Sequence, residues 1–550
     1  MIRYFPLSIL IFFLITIFPV FGQESIPEKD FTVHYYPTRL ELEFDKSKSP
    51  ISIKATDVFS NNEVRIEKTT NSNLWVINSI KPSQFFTIEY ALNMDNTSVL
   101  SSVTIASKSA STGSISVYFN HIVDTSFSQT QNAVNLFSTL DDMLITYINN
   151  CVATLDIAIY NSYSPSATTG IASAINAAFA RGVQVRVIYD GSTSSVMVPL
   201  LNSAIPKLAS PTSSSYAIMH NKFVVFDANN SNPNLPYVWT GSTNWTAVQI
   251  DGPDRNNVIT LQDQTLALAY TIEFEEMWGG SDATPNTTIS KFGPYKTNNT
   301  PHNFVIGGKT VESYFSPSDE TTSKIITAIN SANTDIEIAV MNFTRSDISA
   351  ALLSRYSSGF TNINVLLDSS NPTGNQIGTL QAGLLPNHAL VDTAPGIMHH
   401  KFMVVDNFNS ASDPLVLVGS HNWSTSAETK NDENTLIVHD ANITNQYFQA
   451  FASMNQIAGG TLSNIENTTN EKSILKIVPN PNNGIFDIVS ANNMEHLELT
   501  IYDVLGKRIA TKNFNSFTNT SIDISTESSG FYFIEATAGG NISHYKLIKR

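Results

Sequence analysis

The sequence predicts an α/β protein whose central part is duplicated, with a small β-domain on either side of it. Three observations support this prediction. The pattern HxKxxxxD occurs twice, as MHNKFVVFD at 219–227 and as MHHKFMVVD at 398–406. Each copy is followed by a GSxNW turn. Around both copies, strand-like and helix-like segments alternate in the same order, which is typical of packed α/β layers.

The composition allows several domains and argues against one class of function. At 550 residues the chain is too long for a single hydrophobic core. Its formal net charge is −16, whereas a dedicated nucleic-acid binder needs positive charge to neutralise phosphates. A local basic cleft stays compatible with that charge. The single cysteine, Cys151, permits no intrachain disulfide, and we expect it to be a buried core residue.

Residues 1–22 have the features of a secretory signal peptide. The apolar run Leu7–Phe18 is shorter than the roughly 20 residues that span a membrane, and Val20 and Gly22 fit the positions that precede a cleavage site. An uncleaved anchor is the alternative. No second apolar run of spanning length follows, so we expect the mature protein to be soluble and exported.

The first domain is predicted over 23–110. Segments such as FTVHYY, LELEF and FFTIEYAL alternate apolar and polar residues with a period of two, and Ser, Asn and Pro interrupt them. This pattern is typical of short antiparallel strands and predicts a β-sandwich. The polar linker SKSASTGS at 107–114 ends the domain, in which no catalytic pattern is visible.

Two lobes are predicted over 115–283 and 309–460, joined by a Pro-, Asn-, Gly- and Thr-rich stretch at 280–308. In both lobes an initial strand is followed by a helix, near 131–149 in the first and 321–333 in the second. Equivalent positions then recur at nearly constant offsets. Asp156 and Asp335 are 179 residues apart, as are His220 and His399.

The last domain is predicted over 474–550, where short strands again predict a β-sandwich. It carries PNPNNG at 479–484, YDVLGKR at 502–508 and SGFYF at 529–533, and it ends in KLIKR. In this order the segments resemble the C-terminal sorting domain of type IX secretion substrates. The resemblance implies interaction with the type IX secretion machinery, passage across the outer membrane, and then release or surface attachment.

The duplicated motif has the chemistry of a phosphoryl-transfer site. Residues i and i+2 of a strand share a face, so His220 and Lys222, and likewise His399 and Lys401, are expected to project together. One histidine can attack phosphorus while lysines neutralise its oxygens, and the second can protonate the leaving alkoxide. We expect no metal or other cofactor, because the histidines lack recurrent ligand spacing and a lysine at i+2 repels cations.

These residues resemble the phospholipase D superfamily over about 115–460. The resemblance implies two α/β/α lobes related by a pseudo-twofold axis, with both histidines at the seam, and a phosphohistidine intermediate. It also places Asp227 and Asp406 in the catalytic motifs, although we interpret both as structural because they lie five residues beyond each lysine. The remaining residues that it assigns, catalytic or phosphate-orienting, are His220, Lys222, Ser242, Asn244, His399, Lys401, Ser420, Asn422 and Glu433.

The two halves differ at one position. GSHNWSTSAETKNDENTLIV is similar to compact bacterial phospholipase D-like nucleases, in which the glutamate matching Glu433 orients the active histidine. The first half has Asn256 there, with Asp251 or Asp254 as substitutes. Glu433 would make His399 the better base, whereas the N-terminal histidine is usually the nucleophile in two-lobe relatives. That assignment stays open.

The favoured function is a secreted phosphodiesterase that hydrolyses a phospholipid to phosphatidate and a free alcohol. A secreted nuclease with the same site is the main alternative. A cardiolipin-synthase-like transphosphatidylase and a non-catalytic surface binding protein are less consistent with the sequence. Substrate selectivity is expected in the rim loops 191–215 and 369–396, and a fused pair of lobes predicts a monomer, secreted or at the cell surface.

Overall fold

The computed structural model describes residues 24–549, apart from 71–72, 95–96, 214, 371, 461, 463–474, 481, 504–506, 529 and 539–540. The predicted signal peptide lies outside the described residues, as does most of the D-x-x-G turn of the sorting domain. The chain divides into two compact units, Met1–Leu462 and Ser463–Arg550. No helix in the described part of the chain is both long and apolar enough to cross a bilayer.

The N-terminal domain is a sandwich of two antiparallel sheets, ordered β1-β2-β3-β7-β6 and β5-β4-β8-β9. Alternating side chains of both sheets, such as Val33, Leu42 and Ile88, are fully buried between them, as the period of two predicts. The strands are β1 (Glu24–Pro27), β2 (Phe31–Tyr36), β3 (Arg39–Phe44), β4 (Ser52–Asp57), β5 (Glu63–Val64), β6 (Ile66–Lys68), β7 (Leu74–Asn78), β8 (Phe85–Met94) and β9 (Thr97–Ala106).

Lobe 1 contains an eight-stranded mixed sheet in the order β11-β10-β17-β16-β15-β12-β13-β14. Its elements are β10 (Ser114–Phe119), β11 (Val134–Asn135), α1 (Leu140–Asn150), β12 (Thr154–Ile159), α2 (Pro165–Ala180), β13 (Gln184–Tyr189), α3 (Met197–Leu200), β14 (Lys207–Ala209), β15 (Lys222–Phe226), β16 (Tyr237–Gly241), α4 (Ala247–Ile250), β17 (Asn257–Gln262) and α5 (Gln264–Trp278).

Helix α1 begins later than the sequence predicts. The Asn135 side chain accepts a hydrogen bond from the Phe137 amide at 2.9 Å, and Ser138 has a φ of 61°. A residue in the left-handed region cannot continue a right-handed helix. The predicted helix over 131–149 therefore starts only at Leu140.

Lobe 2 repeats the architecture with the order β18-β19-β25-β24-β23-β20-β21-β22. Its first strand lies inside the predicted linker 280–308, which is therefore partly structured. Its elements are β18 (Asn303–Ile306), β19 (Lys309–Ser316), α6 (Thr321–Ser331), β20 (Ile336–Val340), α7 (Ser346–Ser357), β21 (Ile363–Asp368), α8 (Ile377–Gly383), β22 (Ala389–Asp392), β23 (Lys401–Val405), β24 (Leu415–Gly419), α9 (Thr425–Thr429), β25 (Glu433–His439) and α10 (Ala441–Ile457).

The sheet registers show how the halves correspond. Ile159 lies opposite Lys222 in lobe 1, and Val340 lies opposite Lys401 in lobe 2. Counting back along both strands, Asp156 occupies the position of Glu337. The predicted equivalence of Asp156 and Asp335 is therefore wrong by two residues, because the sequence offset is not constant across this strand.

Helices cover both faces of each sheet, which confirms the predicted duplicated α/β/α architecture. Helices α1 and α2 pack on the outer face of lobe 1, and α6 and α7 on that of lobe 2. Between the two sheets lies one apolar core that includes buried side chains of α5 and α10, such as Phe274 and Phe451. Phe85 of the N-terminal domain joins the same core. The lobes and that domain are therefore packed together.

The second unit is a small antiparallel β-domain. Its strands form one five-stranded sheet around a core that includes Phe486, Leu497 and Ile534. The long strand β27 pairs with β28 along most of its length and with β26 and β29 at its two ends. The strands are β26 (Leu475–Val478), β27 (Ile485–Asp503), β28 (Arg508–Asp523), β29 (Gly530–Ala538) and β30 (Asn541–Lys549).

Candidate active site

The segments that carry the two histidines enter their sheets at the same edge. His220 and His399 immediately precede β15 and β23, the central strands that run antiparallel to β12 and β20. The residue before each histidine is held by a carboxylate at the end of β13 or β21, the second strand away in the sheet. Asp190 accepts the Met219 amide at 2.8 Å, and Asp368 accepts the Met398 amide at 2.7 Å.

The histidine segments cross from one lobe to the other. The His220 amide donates to the Asp432 carbonyl, and the His399 amide donates to the Arg255 carbonyl, both at 2.9 Å. Met219 pairs with Asp432, and Arg255 with Met398, in two short parallel bridges. Each histidine is therefore held by the segment of the opposite lobe that leads into β25 or β17. The two halves together form one pseudo-twofold site.

Glu433 contacts the histidine of the other lobe. Its carboxylate Oε2 lies 2.7 Å from His220 Nδ1 and also accepts the Ser420 hydroxyl at 2.7 Å, while Oε1 accepts the Asn431 side-chain amide at 3.0 Å. The expectation that Glu433 favours His399 is therefore wrong. Because the segments cross at the seam, a residue of lobe 2 orients the histidine of lobe 1.

Asn256 takes the equivalent place beside His399. Its Oδ1 lies 3.0 Å from His399 Nδ1 and accepts the Ser242 hydroxyl at 3.1 Å. Neither suggested substitute reaches that histidine: Asp254 accepts the Ile397 amide at 2.8 Å, and Asp251 is exposed. One histidine therefore faces a carboxylate and the other a neutral amide.

The two serines of the GSxNW turns support these orienting residues. Ser242 and Ser420 are fully buried, and each also accepts the backbone amide of a residue at the start of the next strand, Asn257 and Asn434, at 3.1 Å. Their hydroxyl hydrogens are thus directed towards Asn256 and Glu433. In this arrangement the serines act through the orienting side chains.

The motif lysines lie beside the histidines as predicted from strand alternation. Lys222 Nζ donates to the His220 carbonyl, and Lys401 Nζ to the His399 carbonyl, both at 2.7 Å. Both ammonium groups are almost completely buried. Burial and the neighbouring charge of Lys222 hold the pKa of Lys401 well below its usual range. Burial also lowers the pKa of Lys222 to about 7, although Glu433 and Asp190 oppose the shift.

Charge in the site is distributed unequally between the halves. Burial raises the pKa of the Glu433 carboxyl, but His220 and Lys222 outweigh it and bring that pKa down to about 2. Burial lowers the pKa of His220 to about 4 despite the opposing Glu433 carboxylate. Burial and the charges of Lys401 and Lys222 put the pKa of His399 well below its usual value. Near neutral pH, Glu433 is thus ionised and both histidines are neutral.

The neutral histidines have defined tautomers. Because the Glu433 carboxylate and the Asn256 carbonyl oxygen only accept, each imidazole donates through Nδ1. The Nε2 atoms of His220 and His399 are left as the acceptor atoms of the two rings. This arrangement can supply one nucleophilic nitrogen and one nitrogen that exchanges a proton.

The motif aspartates lie at the other end of their strands. Asp227 Oδ1 accepts the amides of Ala153 at 2.6 Å and Thr154 at 3.1 Å, and both carboxylate oxygens accept the Val152 amide at 3.1 Å. Asp406 Oδ1 accepts the amides of Asn333 and Thr334 at 2.7 Å. Both carboxylates therefore fix the loop that enters the neighbouring strand.

The GSxNW asparagines and tryptophans occupy buried turns. Trp245 and Trp423 pack into the outer cores of lobes 1 and 2. The Oδ1 atoms of Asn244 and Asn422 are buried without a hydrogen-bond partner in the described structure. An unpaired buried amide oxygen is unusual and marks a position where a further donor would be stabilising.

Sequence reasoning missed two residues that shape the site. Tyr160 places its ring 4.7 Å from that of His220 and 5.0 Å below Lys222 Nζ. Its counterpart Met341 has Sδ 3.8 Å from Lys401 Nζ. Both directly follow the strand that pairs with the histidine strand, so sheet register would have indicated them. In the described residues, no group of three or more His, Cys, Asp and Glu side chains could hold a metal ion.

Family comparisons agree with this geometry. The model described as "Cardiolipin synthase, PLD-like domain" matches residues 144–278 and 325–455, one match in each lobe. The model described as "Secretion system C-terminal sorting domain" matches 476–550, which indicates export to the medium or cell surface.

Individual relatives match only part of the chain. A mitochondrial cardiolipin hydrolase of Xenopus tropicalis is 35% identical over 136 residues, 24% of this chain and 60% of the relative. A phospholipase D of Rickettsia bellii is 28% identical over 145 residues, 26% of this chain and 68% of the relative. The chain thus spans about three fifths of the length of the first of these relatives.

Among solved structures, the phospholipase D family member Nuc from Salmonella typhimurium is 24% identical with a TM-score of 0.24, covering 28% of this chain and 99% of that chain.

The two family matches fall on the two lobes, whose histidines meet at one seam, and on the C-terminal unit. The two lobes therefore belong to the phospholipase D superfamily, and residues 476–550 belong to the type IX secretion sorting domains.

Proposed function

We propose that the two lobes form one active site, which hydrolyses a phospholipid to phosphatidate and a free alcohol through a phosphohistidine. The observation that carries the proposal is the pairing of each histidine Nδ1 with an acceptor from the opposite half, Glu433 for His220 and Asn256 for His399. This pairing leaves two Nε2 atoms for chemistry, with two buried lysines beside them. No metal cofactor is needed in this scheme.

His220 is the nucleophile in the proposed reaction. When its Nε2 bonds to phosphorus, the imidazole gains positive charge, and the ionised Glu433 carboxylate at Nδ1 stabilises that charge. The bond between phosphorus and the alcohol oxygen breaks at the same centre. Lys222 and Lys401 neutralise the phosphoryl oxygens.

His399 is the proton carrier. His399 is neutral in the free enzyme, and the anionic diester bound beside it favours its protonation. Because the Asn256 amide stabilises the resulting imidazolium less than a carboxylate would, His399 then gives that proton readily to the leaving alkoxide. The neutral ring then takes a proton from water, whose oxygen bonds to phosphorus as the bond to His220 breaks. The products are phosphatidate, the alcohol and the free enzyme.

Charge favours phospholipid over nucleic acid as the substrate. Lobe 1 has only five basic residues over 115–283. Three of them are buried, namely Arg186, Lys222 and Arg255. Arg181 and Lys207 hydrogen-bond to carbonyls near Ile148 and Asn202, on the side opposite the histidines. A polyanion would find little positive surface on this lobe.

A nuclease is the second candidate. The segment that carries Glu433 is similar to compact bacterial nucleases of the same superfamily, and the site chemistry fits either diester. The net charge of −16 argues against it.

The test is a direct comparison of substrates. The purified protein is incubated with chelator against mixed phospholipid vesicles and against single- and double-stranded DNA, beside His220→Ala and His399→Ala. We expect phosphatidate release that both substitutions abolish. DNA cleavage without lipid turnover would transfer the chain to the nuclease class.

The same variants separate the two histidine roles. With a p-nitrophenyl phosphodiester, whose leaving group needs no proton, His399→Ala should release a burst of nitrophenolate and accumulate phosphoenzyme. His220→Ala should do neither. Equal loss of the burst in both variants would contradict the assignment.

The sorting domain supports a site of action outside the cell. We propose that it engages the type IX secretion machinery and that the catalytic lobes act outside the cell.

A further inference from the structure

Lobe 1 exposes large apolar side chains along one edge. Ile122, Phe137, Tyr163 and Val248 are each between 52% and 72% exposed, and we call these four residues the apolar rim. Single exposed apolar residues are common on protein surfaces and need no explanation. These four require an explanation because they lie near the candidate active site.

All four follow elements that end at the edge of the sheet that holds the histidines. Ile122 and Phe137 come shortly after β10 and β11, whose last residues pair with each other and, in β10, with Asn257. Tyr163 follows β12, whose last residue pairs with Lys222. Val248 lies in α4, directly after the GSTNW turn.

Hydrogen bonds connect the loops that carry the rim. The Trp245 amide donates to the Asn161 carbonyl at 2.9 Å, which attaches the Tyr163 loop to the turn of Asn244. The Asn120 side chain donates to the Gln249 carbonyl at 2.8 Å, which attaches the Ile122 loop to α4. The loops that carry Ile122, Tyr163 and Val248 are therefore joined to one another at the turn beside the candidate site.

Three carboxylates lie next to the rim. Asp141 and Asp142 begin α1, just after Phe137, and the exposed Asp251 ends α4, close to Val248. The elements are neighbours, since repulsion from Asp251 adds to burial in raising the pKa of Asp141. The five basic residues of lobe 1 are either buried or on the opposite side. The rim thus combines apolar side chains with carboxylates.

We infer that the apolar rim docks on the surface of a bilayer of zwitterionic phospholipids. In that arrangement the apolar side chains insert among the lipids and the three carboxylates face the choline or ethanolamine groups. Anionic headgroups and nucleic acids would instead be repelled. The inference rests on the proposed function and deepens it, because docking would present a headgroup phosphate to the seam between the lobes.

The test measures binding and turnover separately in the full chain. Sedimentation with phosphatidylcholine vesicles compares the wild type with the Ile122→Ser/Phe137→Ser/Val248→Ser variant. We expect binding at least about tenfold weaker in the variant, since even one apolar side chain removed from a lipid phase accounts for roughly that factor. Hydrolysis of a soluble p-nitrophenyl phosphodiester should stay unchanged, which also shows that the variant is folded.

Val152 provides the matched control. It is 59% exposed but lies just before β12, at the opposite edge of the same sheet. Val248→Ser should weaken vesicle binding, whereas Val152→Ser should not.

The outcomes separate the two claims. Equal binding of wild type and triple variant, or stronger binding of the wild type to phosphatidylglycerol vesicles, would overturn the docking inference. Rim-dependent binding without lipid hydrolysis would support docking while the proposed function fails.

Discussion

At the scale of residues, Glu433 and Asn256 decide how the two halves of the site divide the reaction. They occupy matched positions and touch matched atoms, the Nδ1 of His220 and of His399. Only one of them is charged. A carboxylate stabilises a cationic imidazole far more than an amide does, so the covalent role falls to His220 and the proton-transfer role to His399.

Glu433→Gln tests the first half of this division. We expect kcat/KM to fall by about 10²- to 10⁴-fold, because the amide neither fixes the tautomer as firmly nor stabilises the phosphoimidazolium. The carboxylate opposes the lowering of the His220 pKa. The acid limb of the pH–rate profile should therefore move to lower pH in the variant.

The control is Ser420→Ala, which removes one hydrogen bond to Glu433 but keeps the carboxylate. We expect kcat/KM to fall about tenfold and the acid limb of the pH–rate profile to stay at the same pH. A pH profile of Glu433→Gln that is identical to the wild type would show that Glu433 acts only in packing.

Asn256→Asp tests the second half. A carboxylate beside His399 Nδ1 should raise the pKa of that histidine and shift the pH limb that it controls upward by about 1–3 units. Asn256→Ala should lower the rate without moving the limb upward. Steady-state rates measured across pH for both variants check the prediction, and an unchanged limb in Asn256→Asp would contradict it.

At the scale of elements, the motif strands explain why Asp227 and Asp406 are structural. Five residues of strand span about 17 Å, so a carboxylate that follows the lysine by five positions lies at the far end. This distance could be predicted from the sequence alone. The acceptor role towards the amides of 152–154 could not, because it depends on which loop the sheet order brings alongside.

Asp227→Ala should therefore reduce stability rather than catalysis. It leaves three buried or half-buried amides without their acceptor and puts alanine at a φ of 54°, which together should cost about 2–4 kcal/mol of unfolding free energy. Asp227→Asn tolerates that backbone conformation and should lose less. Urea unfolding, with kcat of the folded fraction, checks both. A more than tenfold fall in kcat with unchanged stability would assign Asp227 to catalysis.

At the scale of the whole molecule, the sequence predicted the two lobes but not how they interlock. Repeated spacing and strand periodicity were sufficient for the succession of strands and helices along each lobe, but not for the order of the strands in each sheet. The pairing of Met219 with Asp432 joins residues that are distant in sequence, and it reverses which histidine Glu433 serves. Such crossing follows from the packing of two sheets on a shared core, which no local pattern encodes.

The interlocked seam also contains a buried histidine pair that should make the protein acid-labile. His400 accepts from the Asn257 side chain at Nδ1, and its Nε2 lies 2.8 Å from Nε2 of His121. Burial lowers the pKa of His121 to about 4 and that of His400 well below its usual value. An unfolded histidine titrates near 6.5.

The unfolded chain therefore binds more protons than the folded one between about pH 6.5 and 4, so stability should decrease as pH falls through this window. For His121 the loss amounts to about 3 kcal/mol, and His400 adds to it in the same direction. His400→Asn should make this decrease shallower. The equivalent residue of lobe 1 is Asn221, which accepts from Asn434 at 3.3 Å, so asparagine is compatible with this position.

Denaturant unfolding followed by tryptophan fluorescence, repeated from pH 4.5 to 9, measures the effect.

His439 is the control of opposite sign. Its partners Asp413 and Glu312 outweigh burial and raise its pKa to about 9. Its stabilisation is thus complete below about pH 6.5 and is lost as pH rises through 9. His439→Gln should remove stability in acid and leave the slope below pH 6.5 unchanged. A wild-type stability that stays constant from pH 6.5 to 4.5 would show that the seam histidines are protonated in the folded state.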